Sequence, residues 1–268
     1  MKIELHHEDC LEGMRKLPEG CVDTIVTSPP YNIGAKYATY KDRRQQVAYY
    51  DWCERWGKQI YRVLKPDGSF FLNVGGSSAN PTLPHDLVVM FSDSFKLQNT
   101  IIWAKSLTAE IDGKEVSVGH FKPVNSQRFV NSCHEFVFHF TKSGSVQLDR
   151  LAVGVEYQDK SNINRWGHTN GKDKRCRGSI WYVPYETIQN RDKERPHPAT
   201  FPVRLASNCI KLHGVRSDLS VMDPFMGLGA AGLAAQECGA DLFIGYEIDP
   251  GYFEIARERL STRWWPRE

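Results

Sequence analysis

Short, uninterrupted apolar runs, each closed by turn residues, alternate along this chain with stretches of helical spacing. The runs cover residues 3–6, 22–27, 69–74, 100–104, 135–140, 219–222 and 242–246. Continuous rather than alternating apolar character predicts strands buried on both faces, as in a parallel sheet. Between them, Trp52, Trp56, Ile60 and Val63 recur three or four apart over 50–64, and Lys-Pro-Asp-Gly ends that element. Residues 83–94, 201–212, 228–238 and 251–260 also read as helices. Strands alternating with helices predict an open, doubly wound α/β sheet.

With 268 residues, 41% of them hydrophobic, the chain can bury a full core as one large domain. The pattern breaks over 144–198, which is polar, basic and rich in Asn, Gly and aromatics such as Trp166, Trp181, Tyr182 and Tyr185. A long irregular segment of this kind is a functional insertion or disordered, and the aromatics argue for the former. The organisation expected is therefore one domain of three stretches, 1–143, an inserted recognition region (144–195) and 196–268.

Net charge is only +2, but residues 160–211 hold eleven Lys/Arg against four Asp/Glu. A second basic cluster, Lys36, Lys41, Arg43 and Arg44, lies near the N-terminus. Two separated basic segments suit the flanks of a phosphate backbone, and Lys36, Arg43, Arg44, Arg165, Lys174, Arg175 and Arg177 are the candidate DNA contacts. Either cluster alone also describes solvated surface. The seven cysteines are scattered, and none pairs at Cys-x-x-Cys spacing. They read as reduced thiols without a zinc site, and no metal is expected. The first residues carry no apolar leader, and no run is long enough to span a bilayer. A soluble cytoplasmic or nucleoid-associated protein is expected (nuclear in a eukaryote), as monomer or homodimer.

Residues 219–229 read Leu-Ser-Val-Met-Asp-Pro-Phe-Met-Gly-Leu-Gly, a strand running into a glycine turn ahead of a small-residue helix. Gly227 and Gly229 allow a sharp turn and close approach of a ligand, where an α/β sheet binds beyond the carboxyl ends of its strands. Taken alone, the turn could equally be a tight turn without a ligand. The next strand ends in Glu247, at about the interval where an acid meets ribose hydroxyls. A carboxylate near the N-terminus of the following helix could also serve the helix dipole, and Asp249 fits that role better.

Residues 22–31 read Val-Asp-Thr-Ile-Val-Thr-Ser-Pro-Pro-Tyr. Prolines fix φ and remove donors, so Ser28 and Pro29 can present rigid acceptors. An exocyclic base amine needs such acceptors, because its lone pair is delocalised into the ring. Hydrogen bonds from both amino hydrogens, to the Ser28 hydroxyl and the Pro29 carbonyl, favour a pyramidal nitrogen with its lone pair free. Serine is too weak a base to deprotonate the amine first, so methyl transfer precedes proton loss to solvent. Tyr31 is expected to stack on a flipped base. In isolation, Ser-Pro-Pro-Tyr also describes a turn capping a strand, with the tyrosine as packing.

Ser28-Pro29-Pro30-Tyr31, followed by Asp223-Pro224-Phe225-Met226-Gly227-Leu228-Gly229, resembles the S-adenosylmethionine-dependent DNA amino-methyltransferases over nearly the whole chain. The catalytic motif precedes the cofactor motif, as in the family's β arrangement. The resemblance implies a Rossmann-like class I methyltransferase fold, circularly permuted, with an inserted target-recognition region. It implies S-adenosylmethionine as cofactor and double-stranded DNA as partner. Asp9-Cys10 is similar to the segment whose Asp contacts the adenine amine. His197 to Pro202, with Thr200 and Phe201, resembles the stretch covering the methionine end. Glu247, with Ile248 beside it, falls at the ribose-binding acid. The cofactor set implied is thus Asp9, Cys10, Thr200, Phe201, Asp223, Pro224, Phe225, Gly227, Gly229, Glu247 and Ile248; the catalytic set is Ser28, Pro29, Pro30 and Tyr31. Leu228 departs from the Ser common there.

Serine ahead of Pro-Pro-Tyr resembles the N4-cytosine members more than most N6-adenine ones. The expected activity is methylation of N4 of a flipped cytosine, in restriction-modification or another DNA-marking role, with N6-adenine as the alternative. An RNA amino-methyltransferase or an inactive DNA-binding regulator stands further off. C5-cytosine methylation needs a nucleophilic cysteine, usually after a proline, and no cysteine here follows one.

Overall fold

The structure is a computed structural model that describes residues 1–35, 37, 42–119, 126–163, 165, 171–185 and 200–261. In chain order the elements are β1 (Lys2–His7), α1 (Cys10–Arg15), β2 (Val22–Thr27), α2 (Gln46–Val63), β3 (Leu64–Val74), α3 (Leu83–Phe91), β4 (Lys96–Ala104), β5 (Ser106–Ile111), β6 (Lys114–Gly119) and β7 (His134–Thr141). They continue with a 3-10 turn, β8 (Ile180–Tyr182), α4 (Val203–His213), β9 (Ser220–Asp223), α5 (Ala230–Glu237), β10 (Leu242–Glu247) and α6 (Pro250–Ser261).

Eight strands form one sheet in the order β1-β10-β9-β2-β3-β7-β4-β8, and β5 with β6 forms a separate hairpin. Neighbours pair parallel except β7, which runs antiparallel to both β3 and β4. The sheet is therefore mixed, where apolar continuity alone predicts a parallel one. Side chains alternate across it. Ile25, Phe70 and Leu72 face the core under α1, α2 and α3, while Val26 and Phe71 face the core under α4, α5 and α6. Burial on both faces is why the strands read as unbroken apolar runs.

Three elements escape the periodicity argument. Helix α1 is short and starts where Asp9 accepts a hydrogen bond from the Leu11 N–H (2.7 Å). The β5–β6 hairpin turns on Asp112 and Gly113, both at positive φ, a two-residue turn that Asp-Gly favours. Strand β8 lies inside the 144–195 stretch and pairs parallel with β4 through Trp181, whose indole is fully buried. The Lys-Pro-Asp-Gly segment does end α2, but the chain enters β3 at once, and the β2–β3 register shifts between Val22 and Thr24 of β2.

Because every sheet strand but β7 points the same way, the carboxyl ends of β1, β2, β3, β9 and β10 converge on one rim. A buried polar network holds the opposite rim. Ser69 Oγ lies 3.0 Å from His139 Nε2 and 2.9 Å from His213 Nδ1, and Asn99 Nδ2 is 3.0 Å from His139 Nδ1. Burial pushes both imidazoles down, His139 to about 3, with His213 beside it, and His213 to about 4, with Arg216 beside it. Their folded-state values lie below the unfolded value of 6.5, so the unfolded chain takes up protons that the fold refuses. Stability from this pair is present above pH 6.5 and is lost as pH falls toward 4. The slope reaches about 2.7 kcal/mol per pH unit where two protons separate the states. Urea unfolding followed by circular dichroism at neutral and mildly acid pH measures that slope, and a His139→Gln, His213→Gln double variant flattens it.

Candidate active site

Strand β2 delivers Ser28 to the rim because two prolines stop the strand there. The corner is braced from α2, where buried Tyr49 donates its hydroxyl to the Pro30 carbonyl (2.7 Å). The segment after Tyr31 winds around buried Asp42, whose carboxylate accepts from the N–H groups of Asn32 (2.8 Å), Ile33 (3.1 Å) and Ala35 (2.9 Å). Asn32 holds positive φ, and its side chain donates to and accepts from the Arg44 backbone.

Strand β9 ends in Asp223, fully buried, whose Oδ1 accepts from the Thr27 hydroxyl (2.6 Å) and the Phe225 N–H (3.0 Å). The threonine bond ties the glycine turn to the serine corner. Burial pushes the Asp223 carboxyl up to about 7, even against the Thr27 bond, and Oδ2 has no hydrogen-bond partner among the described residues. Gly227 takes φ of 52° and Gly229 81°, and Gly229 caps α5. The Gly227 N–H donates to Glu247 Oε2 (2.8 Å), and the Asp249 N–H to Oε1 (2.9 Å). Burial raises the Glu247 carboxyl above its ordinary value. Asp249 accepts from the Gly251 and Tyr252 N–H groups through Oδ1, as a helix N-terminal acid should, while its buried Oδ2 has no hydrogen-bond partner among the described residues.

These pieces meet in one cleft of about 950 Å³, open to solvent. Ser28, Pro30, Pro224 to Leu228, Asp9, Cys10, Thr200, Phe201, Glu247 and Ile248 all line it. The serine corner and the glycine turn thus share a cavity. Pro29, Tyr31, Asp223 and Gly229 stand behind its surface rather than lining it. Gly13 in α1 makes room for the wall residue Tyr246, since a Cβ there would sit 2.0 Å from its ring.

Several lining residues were not singled out as ligands by the motifs. Trp52, which helical spacing marks as core, is buried and also walls the cleft, edge-on to Phe225 at 5.4 Å and under the Arg44 guanidinium at 5.0 Å. Glu8, Tyr37 and Tyr252 join it. The candidate phosphate contacts scatter. Arg43 and Arg44 are exposed beside the serine corner, while Arg165, Lys174 and Arg175 are exposed in the basic stretch. Arg177 is half-buried and donates to the Val153 carbonyl (2.9 Å); Lys36 and Lys41 lie outside the described residues.

Residues 22–258 match the model of the DNA methylase family, the N6/N4 methyltransferases. The chain belongs to this family. Its members are the S-adenosylmethionine-dependent amino-methyltransferases that the two motifs resemble. Among curated relatives of this DNA methylase is the type II methyltransferase M.ScaI of Streptomyces caespitosus, 28% identical over 97% of this chain and 82% of that protein. Among solved structures, the cytosine-N4-specific PvuII DNA methyltransferase superposes with a TM-score of 0.70 at 20% identity, covering 99% of this chain and 88% of the other. A putative DNA modification methylase from Thermus thermophilus, in complex with S-adenosylmethionine, gives 0.64 at 24% identity over 96% and 93%. The methylase therefore has the mixed α/β methyltransferase fold. Among its described residues, no helix is long and apolar enough to cross a membrane.

Proposed function

We propose that this DNA methylase transfers a methyl group from S-adenosylmethionine to N4 of a cytosine flipped out of double-stranded DNA. The observation that carries the reading is the shared cleft. Ser28, the acceptor for an exocyclic amine, lines one cavity together with Gly227 and Glu247. The lining suits the cofactor. Glu8, Asp9, Glu247 and Asp249 supply acidic groups for a cationic ligand with ribose hydroxyls, and buried Asp249 Oδ2 has no hydrogen-bond partner among the described residues. Glu247, already held by two backbone N–H groups, is oriented to accept ribose O–H bonds. Phe225 and Ile248 flank the space for an adenine, with Asp9 near its amine.

S-adenosylmethionine supplies an electrophilic methyl on a sulfonium. The protein's part is to orient and polarise the amine. Ser28 Oγ, which lines the cleft, accepts an amino hydrogen, and the serine corner, braced by Tyr49 and Thr27, holds that acceptor in place before the base arrives; the Pro29 carbonyl, expected from the motif as the second acceptor, lies behind the cleft surface. Serine ahead of Pro-Pro-Tyr favours cytosine. The strand order, with β10 between β1 and β9, supports the permuted arrangement. The basic stretch within 144–195 supports a target-recognition role for that segment.

Nucleoside mass spectrometry of unmethylated duplex DNA treated with the enzyme and S-adenosylmethionine tests the target. N4-methylcytosine is the expected product. N6-methyladenine alone would overturn the cytosine assignment, and label in RNA but not DNA would overturn the substrate class.

A further inference from the structure

Behind Ser28 a chain of polar groups leads away from the cleft. Ser28 Oγ is 2.7 Å from Tyr31 Oη, which lies 3.1 Å from Glu135 Oε2 and 3.2 Å from the Asn73 carbonyl. Asn73 Nδ2 also donates to Glu135 Oε2 (3.0 Å), and Lys105 Nζ donates to Oε1 in an ion pair. The side chains of Glu135 and Lys105 are 15% and 20% exposed, so the far end of the chain reaches water while Tyr31 is buried. Neither the serine motif nor the glycine turn accounts for a carboxylate at the head of a buried strand, where such groups are rare without a task.

The direction of the bonds is set from the far end. An ionised carboxylate only accepts, so the Tyr31 hydroxyl donates to Glu135, or to the neighbouring carbonyl on the same side. The tyrosine oxygen must then accept from Ser28, and the serine oxygen keeps its lone pairs for the amine. Burial first, and Glu135 second, push the Tyr31 phenol well above its ordinary value, so tyrosine passes protons on rather than holding a charge. Gly75 at the end of β3 reserves space for this acid, since a Cβ there would meet Glu135 Cγ at 2.8 Å.

We propose that Glu135, positioned by Lys105 and Asn73, orients the Ser28 hydroxyl through Tyr31 and receives the proton released after methyl transfer. The inference rests on the amino-methyltransferase reading. After transfer the base nitrogen carries the new methyl, two hydrogens and a positive charge. One N–H proton passes to Ser28 Oγ as the serine proton moves to Tyr31 Oη and the tyrosine proton to Glu135 Oε2. The amine ends neutral and Glu135 ends as a carboxylic acid, which returns its proton to water at the exposed end. No group is oxidised or reduced.

The charged and titratable groups facing Glu135 are Tyr31 from beyond β2 and Lys105 from the end of β4, with Tyr185 beyond Lys105. On β7, His134 packs edge-on to Phe136 and so belongs to the opposite face.

The experiment uses tritiated S-adenosylmethionine and unmethylated genomic DNA with the full chain, comparing wild type, Glu135→Gln and Gly75→Ala. Glu135→Gln is expected to lower kcat by about 10-fold or more and to leave KM for S-adenosylmethionine unchanged. Gly75→Ala keeps every charge but crowds the acid, and is expected to lower kcat by less, again with KM unchanged. Wild-type kcat in both variants, or a loss in Glu135→Gln carried by KM instead of kcat, overturns the proposal. Should Glu135→Gln fail to fold by circular dichroism, wild-type kcat in Gly75→Ala overturns it alone. A wild-type enzyme that labels no DNA overturns both this inference and the function beneath it, which separates the two failures.

Discussion

Ser28→Ala is expected to reduce kcat for DNA methylation by about 10²–10³-fold, the usual cost of deleting one preorganised hydrogen-bonding group that acts in the transition state. Binding of S-adenosylmethionine should stay within a few-fold of wild type, because the Glu247 carboxylate and the Gly227 turn do not depend on the serine hydroxyl. The variant also removes the 2.7 Å partner of the Tyr31 hydroxyl. Tyr31 keeps the Asn73 carbonyl and Glu135 as partners, so the fold should survive. Calorimetric titration with the cofactor, set beside single-turnover methyl transfer, measures both quantities. A parallel loss of cofactor affinity and rate would assign Ser28 to the architecture of the cleft instead of to the reacting amine.

Asp23→Ala is expected to destabilise the fold by about 1–3 kcal/mol, the cost of leaving the buried Ser220 hydrogen-bonding groups without their acceptor. The Asp23 side chain, 1% exposed at the start of β2, accepts from Lys65 (2.8 Å), Arg216, the Ser220 hydroxyl (2.6 Å) and the Ser220 N–H (2.9 Å). Burial pushes its carboxyl up, but the bonds from Lys65 and Ser220 more than offset this and leave it below its ordinary value. Alanine would strand the partners and loosen β2 from β9, whose far ends carry the serine corner and the glycine turn. Urea denaturation monitored by tryptophan fluorescence reads the loss. Asp23→Asn, which keeps part of the bonding, should fall between the two.

Much of the α/β alternation was legible because both faces of the sheet are covered. Strand β2 runs over 22–27 as apolar continuity indicates, and Asp249 caps the last helix as its position suggests. What escaped was local or long-range. Helix α1 is too short to show a period, and β8 owes its place to Trp181 packing against β4, a contact invisible from a polar stretch. The antiparallel β7 is as apolar as its neighbours, so composition could not reveal its direction. The hairpin could have been found, since Asp112-Gly113 between two short runs containing Ile111 and Val116 is a strong turn signal.

At the candidate site, the two motifs drew attention to Ser28 and Gly227, and the interval after the glycine turn to Glu247, because prolines and glycines leave backbone signatures that survive in one dimension; all three line the cleft. Asn73, Lys105 and Glu135 carry no such signature. They converge only when β3, β4 and β7 lie side by side, and an acid and a lysine thirty residues apart look like ordinary surface until then. Trp52 was legible as buried, but burial in a helix does not announce that one edge of the ring also borders a cavity.

Among the described residues, strand β1 has β10 as its one partner in the sheet. A ribosome must therefore deliver residues 242–247 before β1 finds its ladder of backbone bonds. Until then, Asp9 and Cys10 lack the neighbour Glu247 with which they line the cleft, and premature termination anywhere between β1 and β10 leaves a product whose cleft is incomplete. Such fragments could still present the serine corner, but not the cavity it opens into.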